Sequence, residues 1–344
     1  MLATSLKRIQ FFLRDNNGIH LTRNQYIYLA VLLIYILVAA IISSDFSRDS
    51  IRYNFMFESY GASSWGSVVT EVHHHEMFFL VVSKIVYKLG LNPFFLFLTF
   101  AALSLSIKFW LISVHSKDKA LSLALFSSYF FLLHDSTQIR FGMAVAFVYL
   151  ALHFLADNKS LLFSAIVIFA AVMFHNAVLV FLVMLLFTSA RSTLWVFGMI
   201  AVAFILYPLD INAPVFELVK SIINYFDMGG TRLRNVYSLL LKPTQEEFLG
   251  IFKPTMVLVY ISAAVIYQYR NKFSRYERLC YNALLLTIFF YVLLKDVVDL
   301  QIRFRDMFFF SLVFLIPYIH DWMSRYVSKR TAYFLLLMSC ISLL

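Results

Sequence analysis

Acidic side chains gather in one long polar stretch, Ser44 to Glu76, which separates two apolar segments. Asp45 and Asp49 are four residues apart and would share a face if this part is helical, with Tyr53 one turn further on. A carboxylate held against a hydroxyl group can act as a general base. We therefore predict that Asp45, Asp49 or Glu76 is a catalytic base. The alternative is a hydrated loop in which these acids have no chemical role.

Two Gln-Ile-Arg triplets occur in the chain, at Gln138–Arg140 and at Gln301–Arg303, and Arg305 follows the second. A guanidinium is planar and carries several donors, so it suits a diphosphate, and the Gln138 amide would add to the same site. We predict a diphosphate site at Gln138 and Arg140, completed by Arg303 or Arg305. The alternatives are that Arg140 only extends to lipid headgroups, and that the second cluster is a solvated turn with internal ion pairs.

His175 is the polar break between two apolar runs, in the sequence Phe-His-Asn-Ala. Imidazole titrates near neutral pH, so His175 is a candidate to orient a substrate hydroxyl or to accept its proton. The alternative is a buried ring satisfied by Asn176 or by backbone groups. His73, His74 and His75 are consecutive, so their side chains diverge and do not chelate one ion well. We predict no metal and no cofactor.

Apolar side chains dominate the elements that must position these residues. Of 344 residues, 61% are hydrophobic, 14% are charged and 38 are phenylalanine, which is far more apolar than a soluble domain. Because a chain in lipid must satisfy its backbone hydrogen bonds internally, we predict an all-α, polytopic transmembrane helical bundle that forms a single integral membrane domain over residues 1–344.

About eleven apolar runs are near the length that crosses roughly 30 Å of hydrocarbon. They are Tyr26 to Ser43, Phe94 to Val114, Ala120 to Leu133, Phe141 to Ala156, Leu161 to Phe174, Asn176 to Phe187, Leu194 to Tyr207, Pro254 to Tyr269, Cys280 to Leu294, Met307 to Ile319 and Thr331 to Leu344.

One further apolar run, Met77 to Leu89, is short and carries Lys84 and Lys88 four residues apart. This spacing puts both ammonium groups on one helical face, which is typical of a helix that lies in the membrane interface. If this helix does not cross, the short basic loops fall on the side of the N-terminal tail. The positive-inside rule then makes that side cytoplasmic.

This topology makes residues 1–25 a cytoplasmic tail and places two long loops, 44–93 and 209–253, on the outer side with all the candidate site residues. The second loop contains an apolar stripe at helical spacing over Pro214 to Phe226, so we expect another interfacial helix there.

Taken in order, these motifs resemble the EpsG family of Wzy-like polysaccharide polymerases. The resemblance rests on an Asp-x-x-x-Tyr pair after the first span, an acid that opens an amphipathic segment ending in Leu-Gly, a Gln-Ile-Arg turn, a Phe-His-Asn-Ala break and an arginine before the next-to-last span. In this sequence they are Asp49 with Tyr53, Glu76 with Leu89 and Gly90, Gln138 to Arg140, Phe174 to Ala177, and Arg303 or Arg305.

The resemblance implies a glycosyltransferase of the bacterial inner membrane, with architecture similar to the GT-C type. Such an enzyme joins polyprenyl-diphosphate-linked oligosaccharide repeat units on the outer face, for O-antigen, capsule or exopolysaccharide, and we expect an inverting reaction. Tyr53 joins the arginines as a substrate-binding residue. The expected partners are the lipid-linked oligosaccharide and the bilayer, with a chain-length regulator and a flippase as candidate protein partners and no nucleic acid.

Two other classes are compatible with many spans and with cations at one membrane face. A flippase or transporter of lipid-linked sugars would also bind a diphosphate, although transporters often have repeated halves and the sequence shows no repeat. A membrane O-acyltransferase would use His175 and the arginines.

Overall fold

The computed structural model describes residues 22–47, 49–66, 77–157, 161–188, 192–207, 250–295 and 298–341. All regular elements in these ranges are helical, which confirms the predicted all-α class. Glu76, the three consecutive histidines and the predicted helix at Pro214 to Phe226 lie outside the described residues. The α-helices are α1 (Arg23–Ile41), α2 (Ser50–Ala62), α3 (Met77–Lys88), α4 (Pro93–His115), α5 (Lys119–Leu125), α6 (Ile139–Ala156), α7 (Leu161–Phe174), α8 (Ser192–Leu206), α9 (Pro254–Tyr267), α10 (Arg275–Leu293), α11 (Val298–Phe309), α12 (Leu312–Met323) and α13 (Lys329–Ile341).

Other helix types continue or link these elements. A π-helix continues α1 over Ile42–Phe46, and a second continues α5 over Phe126–Asp135. Short 3₁₀ segments occupy Asn176–Leu186, Gly250–Phe252 and Arg270–Lys272. π-helical turns are rare and often occur at functional sites. The second π-helix ends at Asp135, just before Gln138, so it draws attention to this turn as a candidate functional region.

Three helical stretches are both long and apolar enough to cross a membrane, namely residues 25–46, 93–115 and 139–156. Five shorter apolar helices accompany them in the described part of the chain. The protein is therefore a polytopic helical membrane protein, as predicted, and the count of eleven spans stays a prediction.

Two helix boundaries differ from the sequence prediction for identifiable reasons. The helix expected from Cys280 begins at Arg275, because Ser274 and Glu277 form a reciprocal capping box there. The run expected from Met307 to Ile319 is two helices, α11 and α12. Of the charged residues assigned to a loop before it, Asp299, Arg303, Arg305 and Asp306 belong to α11, where Arg305 and Asp306 pair with each other.

The first helices define one end of the bundle. Tyr28, near the start of α1, donates to the Phe109 carbonyl near the end of α4 at 2.7 Å, so the two helices are antiparallel. Ser43, beyond the end of α1, donates to the carbonyl of Ser136 at 3.0 Å, in the turn before α6. Helices α2 and α3 therefore return the chain to the end at which α1 finishes. We call it the Arg140 end, after the arginine in the first turn of α6.

Loops at the opposite end, which we call the Lys117 end, also meet one another. Lys117 donates to the Tyr318 hydroxyl at 2.6 Å and lies 3.6 Å from the Glu277 carboxylate. The His115 ring stacks on Tyr276 with ring centroids 3.6 Å apart. The end of α4 and the start of α10 thus both lie at the Lys117 end, so these two helices run in opposite directions through the bundle.

Lys84 does not turn to the membrane interface. Its side chain is fully buried whereas Lys88 is exposed, so the two ammonium groups lie in different surroundings, and the interfacial position of this helix stays a prediction. The Lys84 ammonium donates to the Ser63 carbonyl and, at 3.4 Å, to the Tyr60 carbonyl at the end of α2. Terminal carbonyls of a helix need such partners, and a cation there also favours the helix dipole. Lys84 thus joins α2 and α3 into a hairpin.

We predict that the Arg140 end faces outward and the Lys117 end faces the cytoplasm. Exposed residues test this: Ser64 follows the α2–α3 hairpin contact and Asn271 lies in the turn before α10. In a background without Cys280 and Cys340, Ser64→Cys should react with a membrane-impermeant maleimide in intact spheroplasts. Asn271→Cys should react only after lysis, and the reverse pattern would place the whole candidate site in the cytoplasm.

Candidate functional site

Arg140 is brought against the α2–α3 hairpin. Its guanidinium carbon lies 5.3 Å from the ring centroid of Tyr53 and 5.4 Å from that of Phe79. The two rings are themselves 5.5 Å apart. These are cation–π distances, so the rings and the guanidinium orient one another. The structure therefore places two predicted substrate-binding residues, Tyr53 and Arg140, in one cluster.

A buried ion pair fixes the turn that leads to Arg140. Lys108 of α4 and Asp135 lie 2.7 Å apart, and both side chains are fully buried. Ser104, one turn before Lys108, donates to the same carboxylate at 2.5 Å. Removing one partner of a buried pair leaves an uncompensated charge, so the pair resists displacement. Lys108, although charged, is an interior residue.

Backbone contacts complete the fixation of this turn. Ser43 donates to the Ser136 carbonyl and Ser47 donates to the Thr137 carbonyl at 3.4 Å. Gly142 allows the turn to approach α6, because a Cβ atom at that position would lie 2.5 Å from the His134 carbonyl oxygen. The start of α6, and with it Arg140, is therefore held by α4 through the ion pair, by the segment after α1 through two serine hydroxyls, and by close packing at Gly142.

Asp45 and Asp49 do not share a helical face. Asp45 belongs to the π-helical extension of α1 and is exposed, whereas Asp49 precedes α2. Ser47, between them, has extended backbone angles of φ -72° and ψ 140°, so the continuous helix on which a shared face depended is not formed. Asp49 is half-buried and its carbonyl accepts from the Tyr53 amide at 3.0 Å. Asp49 thus stands one helical turn before Tyr53 at the start of α2.

His175 reaches the same end of the bundle. It interrupts the helical path between α7 and the 3₁₀ segment with extended angles of φ -157° and ψ 118°. Its ring meets the Phe141 ring edge-on at a centroid distance of 5.3 Å, and Phe141 follows Arg140 directly. The His175 side chain is half-buried. Among the described residues no group of His, Cys, Asp and Glu side chains is arranged to hold a metal ion.

The two Gln-Ile-Arg triplets are not equivalent. Gln138 stands before the first turn of α6, but Gln301 is buried and donates to the Tyr291 carbonyl at 2.7 Å, which attaches α11 to α10. Arg303 is exposed. Arg305 lies two residues after Arg303 in α11 and points to a different side of the helix, because helical residues two apart do not share a face.

Arg305 is held by a carboxylate and a phenol. Its Nε atom donates to Asp306 at 2.8 Å, and its Nη2 atom lies 2.7 Å from the same oxygen. The Tyr129 hydroxyl donates to that oxygen at 3.1 Å and accepts from Arg305 at 3.3 Å. Arg305 is thus oriented by partners on α11 and on the π-helical extension of α5.

Several residues of this region were not found from sequence. Lys108, Asp135 and Tyr129 lie inside or beside apolar runs. His134 is fully buried between aromatic rings, and both of its ring nitrogens lack hydrogen-bond partners. Ionisable groups within a membrane segment are rare and commonly functional. The presence of Lys108 inside an apolar run was therefore the sequence signal that could have pointed to this region.

Comparison with known proteins agrees with this helical membrane fold. The sequence model of the EpsG family matches residues 26–344, so the chain belongs to the EpsG family. The predicted resemblance is confirmed.

A protein from Erwinia amylovora described as "Amylovoran biosynthesis protein AmsC" is 26% identical over 125 residues. That alignment covers 36% of this chain and 33% of the relative, so the chain matches about a third of the relative's length. No solved structure matches the chain.

The Lys108–Asp135 pair yields a stability prediction. Lys108→Met should destabilise the protein by about 3–5 kcal/mol, because it leaves the buried Asp135 carboxylate uncompensated. Adding Asp135→Asn, which removes that charge while retaining a group that can accept from Ser104, should recover most of the loss. Thermal unfolding in detergent measures both. A double variant no more stable than Lys108→Met would show that charge pairing is not what holds the turn.

Proposed function

We propose that this protein is a membrane glycosyltransferase that polymerises polyprenyl-diphosphate-linked oligosaccharide repeat units on the outer face of the bacterial inner membrane. The observation that carries the proposal is the placement of Arg140. A rigidly fixed turn holds its guanidinium over two rings at the end of the bundle that also bears Asp49 and His175. A cation, a carboxylate and an imidazole at one end of a bundle are the groups that an acceptor hydroxyl and a diphosphate leaving group require.

The comparisons support the class of product. The chain belongs to the EpsG family, and the relative from Erwinia amylovora is described as a biosynthesis protein for amylovoran, an exopolysaccharide. The EpsG resemblance implies a Wzy-like polymerase, and the likeness to GT-C enzymes remains part of the proposal.

The reaction is an inverting transfer. Asp49 takes the proton of a hydroxyl on the acceptor unit as the hydroxyl oxygen attacks the anomeric carbon of the growing chain. The bond between that carbon and the diphosphate oxygen breaks, and the polyprenyl diphosphate leaves with the electron pair. His175 orients the acceptor. Glu76, which immediately precedes α3, is the alternative base.

Charge on the leaving group sets the barrier. The diphosphate departs in a poorly hydrated site, where fixed cations stabilise developing negative charge more strongly than water-exposed ones. Arg140 is the first such cation in this proposal, with Arg303 or Arg305 as the second. Because Tyr53 and Phe79 hold the Arg140 guanidinium in place, little reorganisation accompanies the charge movement.

Arg140 provides the main test of the proposed function. Arg140→Lys keeps the charge but loses the planar fork of donors, and Arg140→Ala loses both. Since loss of one fixed donor reduces the rate on the order of 10²–10³-fold, we expect short or absent polymer and accumulated single repeat units on the lipid. Arg52→Lys, at an exposed arginine of α2, is the matched control.

The glycolipids of a deletion strain decide between the classes of protein. Single repeat units on the outer side support the polymerase. Units trapped on the inner side would identify a flippase, and full-length polymer without acyl groups would identify an acyltransferase. Polymer of normal length from Arg140→Ala would remove Arg140 from the mechanism.

Their different exposure ranks the two described acids within this proposal. Asp49→Asn should lower polymer formation by about 10²–10⁴-fold, the usual contribution of a general base. Asp45→Asn should retain most activity, because Asp45 is exposed on a different element. Polymer yield and chain length at matched expression measure both, with Glu76→Gln in parallel. Normal polymer from Asp49→Asn together with loss in Glu76→Gln would transfer the role of base to Glu76.

A further inference from the structure

An apolar crevice lies on the side of the bundle between α9, α12 and α13. Its volume is about 280 Å³, and most of its wall is hydrocarbon, including Met256 and Ile261 of α9, Ile316 of α12 and Leu336 of α13. Arg305 also lines it, next to Tyr129. The crevice thus combines a long apolar wall with a single cationic side chain.

The crevice is elongated along the helices. Its lining residues on α9 run from Thr255 to Val265, and those on α12 run from Leu312 to Met323. At 1.5 Å per residue, each of these distances is about 15 Å. Arg305 lies in the helix before α12, on the side where α12 begins. The cation therefore stands at the Arg140 end of the crevice, and the apolar wall extends from it toward the Lys117 end.

Arg305 presents its charge to this crevice in a defined orientation. The side chain of Asp306 is buried and is not part of the crevice wall, whereas Arg305 is. Asp306 accepts from the Nε atom and contacts Nη2, and a guanidinium has five N–H donors in all. The carboxylate thus orients the guanidinium while further donors remain on its other edge.

We propose that this crevice binds the isoprenoid chain of the polyprenyl diphosphate, with the diphosphate at Arg305. The inference rests on the proposed function and adds to it the site of the lipid chain. The wall suits an occupant that is apolar over about 15 Å, and the remaining N–H donors of Arg305 suit a phosphate group at one end of it. A single-chain prenyl diphosphate meets both conditions in one crevice, whereas a two-chain phospholipid would leave one chain outside.

This proposal assigns different tasks to the two arginines. Arg305 binds the phosphate attached to the lipid, at the end of the crevice, and Arg140 binds the phosphate attached to the sugar, where the bond breaks. A crevice that opens on the side of the bundle would let the lipid enter from the membrane without passing through water.

Photocrosslinking tests the crevice directly. The full chain in detergent carries p-benzoylphenylalanine in place of Ser262, which lines the crevice, or in place of Ala264, which is exposed on the same helix but outside it. The probe is radiolabelled geranylgeranyl diphosphate. We expect labelling at position 262 at least several-fold above that at 264, displaced by unlabelled geranylgeranyl diphosphate. Dioleoyl-phosphatidylglycerol and geranylgeraniol, which lacks the diphosphate, should displace it poorly.

Two variants separate binding of the isoprenoid chain from binding of the diphosphate. In the Arg305→Gln variant, the concentration of unlabelled geranylgeranyl diphosphate needed to displace the radiolabelled probe should rise by about tenfold, as expected for the loss of a charge-assisted hydrogen bond. A bulky residue that fills the crevice, Val259→Phe, should reduce labelling with Arg305 intact, provided that size-exclusion profiles remain unchanged. Equal labelling at positions 262 and 264, or equal displacement by the phospholipid, would overturn the proposal.

The outcomes distinguish this inference from the proposed function. Loss of polymer in Arg140 variants without specific labelling of the crevice would refute only the lipid site. Specific prenyl diphosphate labelling together with normal polymer in the deletion strain would refute the polymerase and leave a lipid-binding membrane protein.

Discussion

The buried Lys108–Asp135 pair is the constraint on which the arrangement of the candidate site depends. Two charges inside an apolar bundle are tolerated because they neutralise one another at 2.7 Å and because Ser104 adds a hydrogen bond. Asp135 is also the last residue of the π-helical segment, so the pair determines where that helix stops. Arg140 follows one short turn later, and its position is a consequence of where Asp135 is held.

A second lysine has a comparable role in the α2–α3 hairpin. Lys84 binds the terminal carbonyls of α2, and this contact sets how the two helices pack. The hairpin then carries Tyr53 and Phe79 to the guanidinium of Arg140. In both places a buried ammonium group fixes backbone geometry, and together the two lysines position the elements that hold Arg140.

The arginines are organised differently from these lysines. Arg140 lies over the rings of Tyr53 and Phe79, whereas Arg305 is oriented by Asp306 and Tyr129. Planar guanidinium groups keep several donors even when one edge is engaged, so an oriented arginine still suits a phosphate. The proposed division of roles follows their positions, because Arg140 packs against the α2–α3 hairpin and Arg305 lines the apolar crevice.

The sequence by itself determined the class of protein and the local rules of its helices. Apolar runs with few charges leave a chain in lipid no alternative to helices. Capping residues such as Thr22 and Ser274 mark where two of them begin, because their side chains satisfy the first free amides. The order of short motifs was sufficient to identify the EpsG family.

Only the tertiary structure decided which of these residues work together. Lys108 and Asp135 are 27 residues apart, and nothing in periodicity shows that they pair across two helices. Gln138 and Gln301 sit in identical triplets, yet one precedes the site arginine and the other ties α11 to α10. Spacing predicts which residues share a face of one helix. It does not determine what lies across from that face, and in this protein only the packing of the helices shows that Lys108 faces Asp135 whereas Arg140 faces two aromatic rings.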